Sequence, residues 1–332
     1  MSLPRTLGDA LALARGRIDS VDAKVLLREA SGYSASMLIA FPERVLDADK
    51  ARLFADWLVR REAGEPVAHL VGHREFYGHL FRVTADTLIP RPDTELLVER
   101  GLAVLAATSL SLDSLSPSPS PASGPGEPRA ASPSARPGGT GNEPARRQQF
   151  PLPEGEGGRQ AGRGGMVQAP TVLDLGTGTG AIAISIALAS AAQVTAVDTS
   201  PAALAVAQDN ARHLGAAIRC LHGSWFAPVA GKRFDLIVSN PPYIAEGDPH
   251  LVEGDVRFEP RSALTSGRDG LDDIRHIVTA APAHLNDGGW LLLEHGYDQA
   301  AAVRALLSAA GYAEVQSWRD LAGIERVSGG RR

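Results

Sequence analysis

The sequence predicts an α/β fold: a parallel sheet covered by helices on both faces, with a small helical domain in front of it. Three observations predict this. From Val172 onward, short apolar runs alternate with helical segments, the pattern of a parallel sheet buried on both sides. A glycine-rich turn, Gly176-Thr177-Gly178-Thr179-Gly180, joins the first of these runs to the first helical segment. Before Glu75, apolar residues recur at helical spacing.

The helical part, residues 1–75, shows three stretches. Leu7, Leu11 and Ala14 form the first; Val21, Val25, Leu26 and Ala30 the second; Leu53, Phe54, Trp57 and Leu58 the third. The third ends in Arg60 and Arg61 before Gly64, a basic last turn followed by a glycine stop. Residues 76–108 read as a hairpin and a linker helix. Phe76, Tyr77, Leu80, Phe81 and Val83 surround Gly78, as in a tight β-turn. In Pro90-Arg91-Pro92-Asp93-Thr94-Glu95, Pro92 stands where a helix can begin. Leu96, Leu97, Val98, Leu102 and Val104 continue it.

Residues 109–168 differ in kind. Ten of the 23 prolines and eleven of the 35 glycines fall between 109 and 165, and Ser116 to Pro121 alternates serine with proline. Such a stretch buries too little apolar area to offset its ordering entropy, which predicts a disordered insert. Residues 169–332 then carry the sheet. Val172–Leu175, Val194–Val197, Phe234–Val238 and Trp290–Leu293 read as strands. Ser200 can cap a helix whose first residue is Pro201.

Composition limits the function. Hydrophobic residues make up 44% of 332, enough for a globular core. A net charge of -5 argues against a protein that coats nucleic acid. Cys220 is the one cysteine, so no disulfide can form within the chain and a cysteine-based metal cluster is not expected. No apolar stretch is long enough for a membrane span, and the first residues lack a signal-peptide core. A cytoplasmic, monomeric protein without a metal is the expectation.

Gly176, Thr177, Gly178, Thr179 and Gly180 lie at the carboxyl end of the first sheet strand, where open α/β sheets bind ligands. Missing Cβ atoms let a ligand approach the backbone. Asp198 ends the second strand, 18 positions after Gly180. A carboxylate there can accept the hydroxyls of a ribose. These residues imply a nucleoside cofactor and leave NAD and S-adenosylmethionine both open.

Asn240-Pro241-Pro242-Tyr243 decides between them. The tetrad follows Asp235-Leu236-Ile237-Val238-Ser239, again at the ligand end of a strand. Adjacent prolines donate no backbone hydrogen bonds but keep their carbonyls. The Asn240 side-chain oxygen and the Pro241 carbonyl make two acceptors for one planar NH₂ group. Tyr243 adds an aromatic surface.

The tetrad resembles the signature of S-adenosylmethionine-dependent methyltransferases that act on planar amino or amide nitrogens. Within these, the chain resembles the PrmC/HemK family of release factor glutamine N5-methyltransferases. The likeness runs through Gly64 to Leu70, Arg74 to Phe76, Leu88 to Glu95, Leu173 to Gly180, Ser239 to Ile244, Gly254 to Pro260 and Leu292 to Gly296. It implies a Rossmann-like class I methyltransferase sheet behind an N-terminal substrate-docking domain. By position, the resemblance implies that Gly176 to Gly180 line the methionine end of S-adenosylmethionine. Asp198 would then hold the ribose and Trp225 the adenine. Asn240 would face both cofactor and substrate. Asn240, Pro241, Pro242 and Tyr243 would hold a glutamine side chain, with Asn240, Pro241 and Tyr243 serving the reaction. The implied substrate is the Gly-Gly-Gln loop of class I peptide chain release factors. The family often has an acid before this tryptophan; here it is Ser224, a weaker acceptor for the adenine amino group. The long insert is a second departure, placed before the first sheet strand where the core should tolerate it.

Two related activities share the acceptor logic. DNA adenine N6-methyltransferases carry the same tetrad, but the acidic balance and the lack of a recognition region argue against DNA as substrate. A ribosomal-protein glutamine methyltransferase is closer, and Pro90-Arg91-Pro92-Asp93 argues against it. Arg91 and Glu95 are candidates for shaping the substrate entrance. His295, after a buried strand, is expected to be structural.

Overall fold

The structure, a computed structural model, describes residues 3–113 and 168–332, with the backbone alone for 109–113. Five helices open the chain: α1 (Leu7–Ala14), α2 (Ser20–Ser31), α3 (Ala35–Ala40), α4 (Ala48–Glu62) and α5 (Val67–Val71). Thr6 starts α1 with a capping box, its hydroxyl accepting from Asp9 N–H while the Asp9 carboxylate accepts from Thr6 N–H. Helices α3 and α5, six and five residues long, are too short to show a period in sequence. The periodicity also misplaces two side chains. Val21 and Leu53 are 63% and 40% exposed, while Ala23, Leu26 and Leu27 of α2 pack on Phe54 and Leu58 of α4.

The hairpin strands are β1 (His73–Phe76) and β2 (His79–Arg82), so strand structure begins two residues before the expected boundary at Glu75. Tyr77 and Gly78 join them at φ 51° and 76°, the left-handed pair that suits a two-residue hairpin turn. A short 3₁₀ turn over Pro92–Thr94 leads into α6 (Glu95–Asp113). Helix α6 therefore runs five residues into the segment expected to be an insert from 109. The remainder of that expectation, 114–167, lies outside the described residues.

The second half alternates strand and helix as the sequence predicts. Its elements are β3 (Thr171–Leu175), α7 (Ala181–Ala189), β4 (Gln193–Asp198), α8 (Pro201–Leu214), β5 (Ile218–His222), β6 (Phe234–Ser239), α9 (Asp272–Ala280), β7 (Leu285–Glu294), α10 (Ala300–Ala309), β8 (Ala313–Arg319) and β9 (Glu325–Arg331). They build a seven-stranded sheet in the order β5-β4-β3-β6-β7-β9-β8. All neighbours are parallel except β9, which runs antiparallel to β7 and β8. Two apolar layers cover it. Leu97, Val98, Ile184 and Ile186 pack on one face, and Ile274, Ile277, Val303 and Leu307 on the other.

The winding reverses at β3, which lies between β4 and β6. A crevice opens at the carboxyl ends of strands at such a point. Leu175 and Ser239 are level across this junction, and Ser239 Oγ donates to the Leu175 carbonyl at 2.7 Å. The residues that follow, Gly176 and Asn240, therefore emerge side by side. Among the described residues, no helix is long and apolar enough to cross a membrane.

Candidate active site

The crevice is a cavity of ≈ 520 Å³. Its floor is the glycine turn, where Gly176, Gly178 and Gly180 adopt φ of 70°, 54° and 81°, a region costly for residues with a Cβ. A Cβ on Gly178 would meet nothing within 4 Å, because that position faces the open cavity. One on Gly180 would strike Ile184 Cδ1 at 2.9 Å. Gly176, Thr177, Gly178 and Thr179 line the cavity; Gly180 does not, and instead begins α7 against its neighbours.

Asp198 stands at the end of β4 on the cavity wall. Its two oxygens accept from Gly178 N–H and Ser200 N–H, each at 2.9 Å. Each oxygen keeps a lone pair. Trp225 lines the same cavity with its backbone at φ 45°, strained for a bulky residue. Ser224 is exposed and is not among the lining residues. Beneath the turn, Asp174 is fully buried and accepts from Thr177 Oγ at 2.6 Å. Burial lifts its carboxyl to about 7, and its Oδ1 has no hydrogen-bond partner.

Asn240 and Pro242 line the cavity, whereas Pro241 and Tyr243 lie behind that surface. Asn240 Nδ2 donates to Thr94 Oγ at 3.2 Å, which turns the carboxamide oxygen away from Thr94. Neither that oxygen nor the Pro241 carbonyl takes a hydrogen bond from the described residues. Tyr243 is largely enclosed, and burial raises its hydroxyl pKa. The hydroxyl donates to Glu294 Oε1 at 3.4 Å. Gln299 Nε2 donates to the Tyr243 carbonyl at 3.0 Å. A Cβ on Gly270 would fall 2.2 Å from that same carbonyl, so the chain passes closely there and needs a glycine.

Arg91 lines the rim and pairs with Glu259, whose side chain is fully buried. Glu259 also accepts from Ile89 N–H at 3.0 Å, tying the segment before α6 to the loop after the tetrad. Glu95 is not at the entrance: its carboxylate accepts from Tyr77 N–H at 3.0 Å and anchors the hairpin turn. His295 is fully buried, with Nδ1 at 2.9 Å from the Gly296 carbonyl and Nε2 at 2.7 Å from Ser328 Oγ. That is a structural setting, and burial lowers its pKa.

Sequence reasoning did not single out Asn210 or Thr94 by role. Asn210, on α8, is fully buried. Its oxygen accepts from Arg82 N–H at 2.8 Å, and its amino group donates to the carbonyls of Arg82 and Thr179 at 3.0 and 2.9 Å. It thus joins the hairpin to the glycine turn. Both residues act through contacts more than 120 positions away, which no local pattern encodes.

The cavity suits S-adenosylmethionine. It offers an open backbone at Gly178, acceptor capacity on Asp198 and an indole at Trp225. A sheet wound in this order, with a glycine turn after β3 and an Asn-Pro-Pro-Tyr turn after β6, defines a class I S-adenosylmethionine-dependent methyltransferase.

Comparison with known proteins narrows the class. Residues 8–72 match the PrmC N-terminal domain, and residues 166–255 match the Methyltransferase small domain. The release factor glutamine methyltransferase of Pseudomonas aeruginosa is 44% identical over 94% of this chain and 92% of its own length. That of Bordetella pertussis is 44% identical over 96% and 97%. A solved release factor-specific protein-(glutamine-N5) methyltransferase from Alicyclobacillus acidocaldarius is 26% identical, matched over 76% of this chain and 99% of that one with a TM-score of 0.37. The chain belongs to the release factor glutamine methyltransferase family. Its methyl donor is S-adenosylmethionine.

Proposed function

We propose that this enzyme methylates the side-chain amide nitrogen of the glutamine in the Gly-Gly-Gln motif of class I peptide chain release factors. The orientation of Asn240 carries the reading. With Nδ2 committed to Thr94 at 3.2 Å, the carboxamide oxygen is available to a substrate NH₂. The Pro241 carbonyl, which takes no hydrogen bond from the described residues although the residue itself lies behind the cavity surface, is the second acceptor. Together they hold both protons of a planar amide and leave its nitrogen face exposed.

A glutamine amide nitrogen is a weak nucleophile, because its lone pair is delocalised into the carbonyl. S-adenosylmethionine supplies a methyl group on a positively charged sulfur, an electrophile whose departing group is neutral. No oxyanion has to be stabilised; as the N–C bond forms and the C–S bond breaks, the nitrogen gives up one of its two protons to solvent, leaving a neutral N-methyl amide and a neutral thioether. Two acceptors on the N–H groups raise electron density on nitrogen and fix its direction, and orientation of this kind can lower a barrier by up to roughly 7–11 kcal/mol. Gly176 to Thr179 face the methionine end of the cofactor, Asp198 takes the ribose hydroxyls, and Trp225 packs beside the adenine. Gly180 serves by shaping the turn. Pro242 and Tyr243 fix the path of the tetrad, Tyr243 from behind the surface. The helices of residues 3–71 serve as the docking surface for the release factor. Action on a translation factor sets the work in the cytoplasm.

Incubating the protein with labelled S-adenosylmethionine and, in turn, release factor, ribosomes and DNA tests this. Label on the release factor glutamine is the expected result. Label on DNA or on a ribosomal protein in its place overturns the reading.

A further inference from the structure

A glutamine on a loop of a large protein reaches the cavity only if the body of that protein rests on the surrounding rim. A standard protein–protein interface covers about 800 Å² on each side, a patch of about 16 Å radius. Centred on Asn240, such a patch extends well past the cavity mouth. Neighbouring strands lie about 4.8 Å apart. From β6 the sheet continues through β7 and β9 to β8. The turn between β8 and β9 is therefore displaced roughly 10–15 Å sideways from the end of β6, inside the patch. It also lies at the cavity end of the sheet. β9 runs antiparallel to β7, with Val327 opposite Glu294, and β8 runs antiparallel to β9, with Arg319 opposite Glu325.

The turn, Asp320 to Ile324, is held in one shape. Asp320 Oδ1 accepts from Ala322 N–H and Ile324 N–H, each at 2.9 Å. Asp320 N–H donates to the Ile324 carbonyl at 2.8 Å, and the Asp320 carbonyl accepts from Gly323 N–H at 2.9 Å. Arg319 Nη1 donates to the Gly323 carbonyl at 2.6 Å. Arg326 joins the turn to the cavity rim, its guanidinium 3.4 Å from Asp320 and 3.5 Å from Asp93. Asp93 stands in sequence between Arg91 and Thr94, which both line the cavity.

What this turn presents is Leu321. It is 110% exposed, the most open large apolar side chain among the described residues. The turn does not require a leucine: asparagine, aspartate, serine or glycine suit such positions better. Tyr297 is a second exposed side chain of this kind, at 68%. It follows His295 by two residues, and His295 N–H donates to the Arg326 carbonyl at 3.0 Å. We propose that Leu321 and Tyr297 form a docking face for the release factor. They seat apolar side chains of its body on the rim while its glutamine enters the cavity. The turn is ordered beforehand, so docking on it loses little entropy. This rests on the reading of a release factor as the substrate, and adds a second place, apart from the N-terminal helices, where that protein is held.

The test uses the full chain with an unmethylated class I release factor and saturating S-adenosylmethionine. Leu321→Asp should raise the KM for release factor at least about fivefold, as loss of one buried leucine contact does. Its kcat, cofactor Kd and melting temperature should stay near wild type. Leu321→Met, which remains apolar, should keep the wild-type KM, and Tyr297→Ala should raise it. An unchanged KM in Leu321→Asp or Tyr297→Ala overturns the inference. So does a KM for Leu321→Met that rises as far as that of Leu321→Asp, or a loss that tracks cofactor binding or melting temperature. A wild-type dimer in sedimentation that Leu321→Asp turns into monomers marks a contact between copies of this chain, and overturns it too. If wild type methylates the release factor and Leu321→Asp does so with unchanged KM, only this inference fails; if wild type leaves the factor unmodified, the reading beneath it fails with it.

Discussion

Asp198 and Asn240 are single side chains whose meaning depends on what precedes them in the chain. Each ends or follows a parallel strand, so position along the strand fixes which way it faces, and both were legible in the sequence for that reason. Asp174 was not. Its neighbours in sequence are apolar strand residues, and only the fold shows a carboxylate buried under the glycine turn. Burial holds its pKa at about 7 against 3.8 in an unfolded chain. The native state therefore binds a proton more readily than the unfolded state between these values. Its contribution to stability is greatest at low pH and is lost as pH rises through about 7. Asp174→Asn removes that dependence. The melting temperature of the variant, measured against wild type between about pH 4 and 8, should gain on wild type as pH rises. A constant difference would contradict this assignment.

At the scale of elements, the strands and long helices were readable because their periods are long enough to count. Helices α3 and α5 were not, since a single turn or so has no period. The hairpin was readable from its turn, but its attachment was not. Asn210 on α8 fastens β2 to the glycine turn through three hydrogen bonds. Removing it leaves the buried Thr179 carbonyl without this partner, costing roughly 1–3 kcal/mol, and frees the partly buried Arg82 N–H and C=O at a smaller cost. Asn210→Ala should lower unfolding stability by about 2–3 kcal/mol in urea titrations and loosen cofactor binding in the same protein. A loss confined to stability would mean the hairpin and the cavity floor are not mechanically joined.

Across the whole molecule, Arg61 at the end of α4 pairs with Asp22 on α2 and with Asp255 after the tetrad, both at 2.7 Å. Arg257 donates to the Ala63 carbonyl at 2.6 Å. The N-terminal helices, proposed above as the docking surface, are thus tied to the loop that follows the tetrad. The two segments match in the resemblance, at Gly64 to Leu70 and Gly254 to Pro260, yet nothing in either sequence said that they touch. These pairs are partly exposed, so Arg61→Ala should change stability by only about 1 kcal/mol or less. It should raise the KM for release factor while leaving the cofactor Kd unchanged, which steady-state kinetics and calorimetry can separate.

The most direct test of the two-acceptor grip is mass spectrometry of the Gly-Gly-Gln peptide from release factor treated with S-adenosylmethionine and either the wild-type enzyme or Asn240→Ala. Wild type should add one methyl group to the glutamine amide. Asn240→Ala should bind the cofactor but transfer at least about a hundredfold more slowly. An unmodified glutamine after wild-type treatment, or undiminished transfer by the variant, would contradict it.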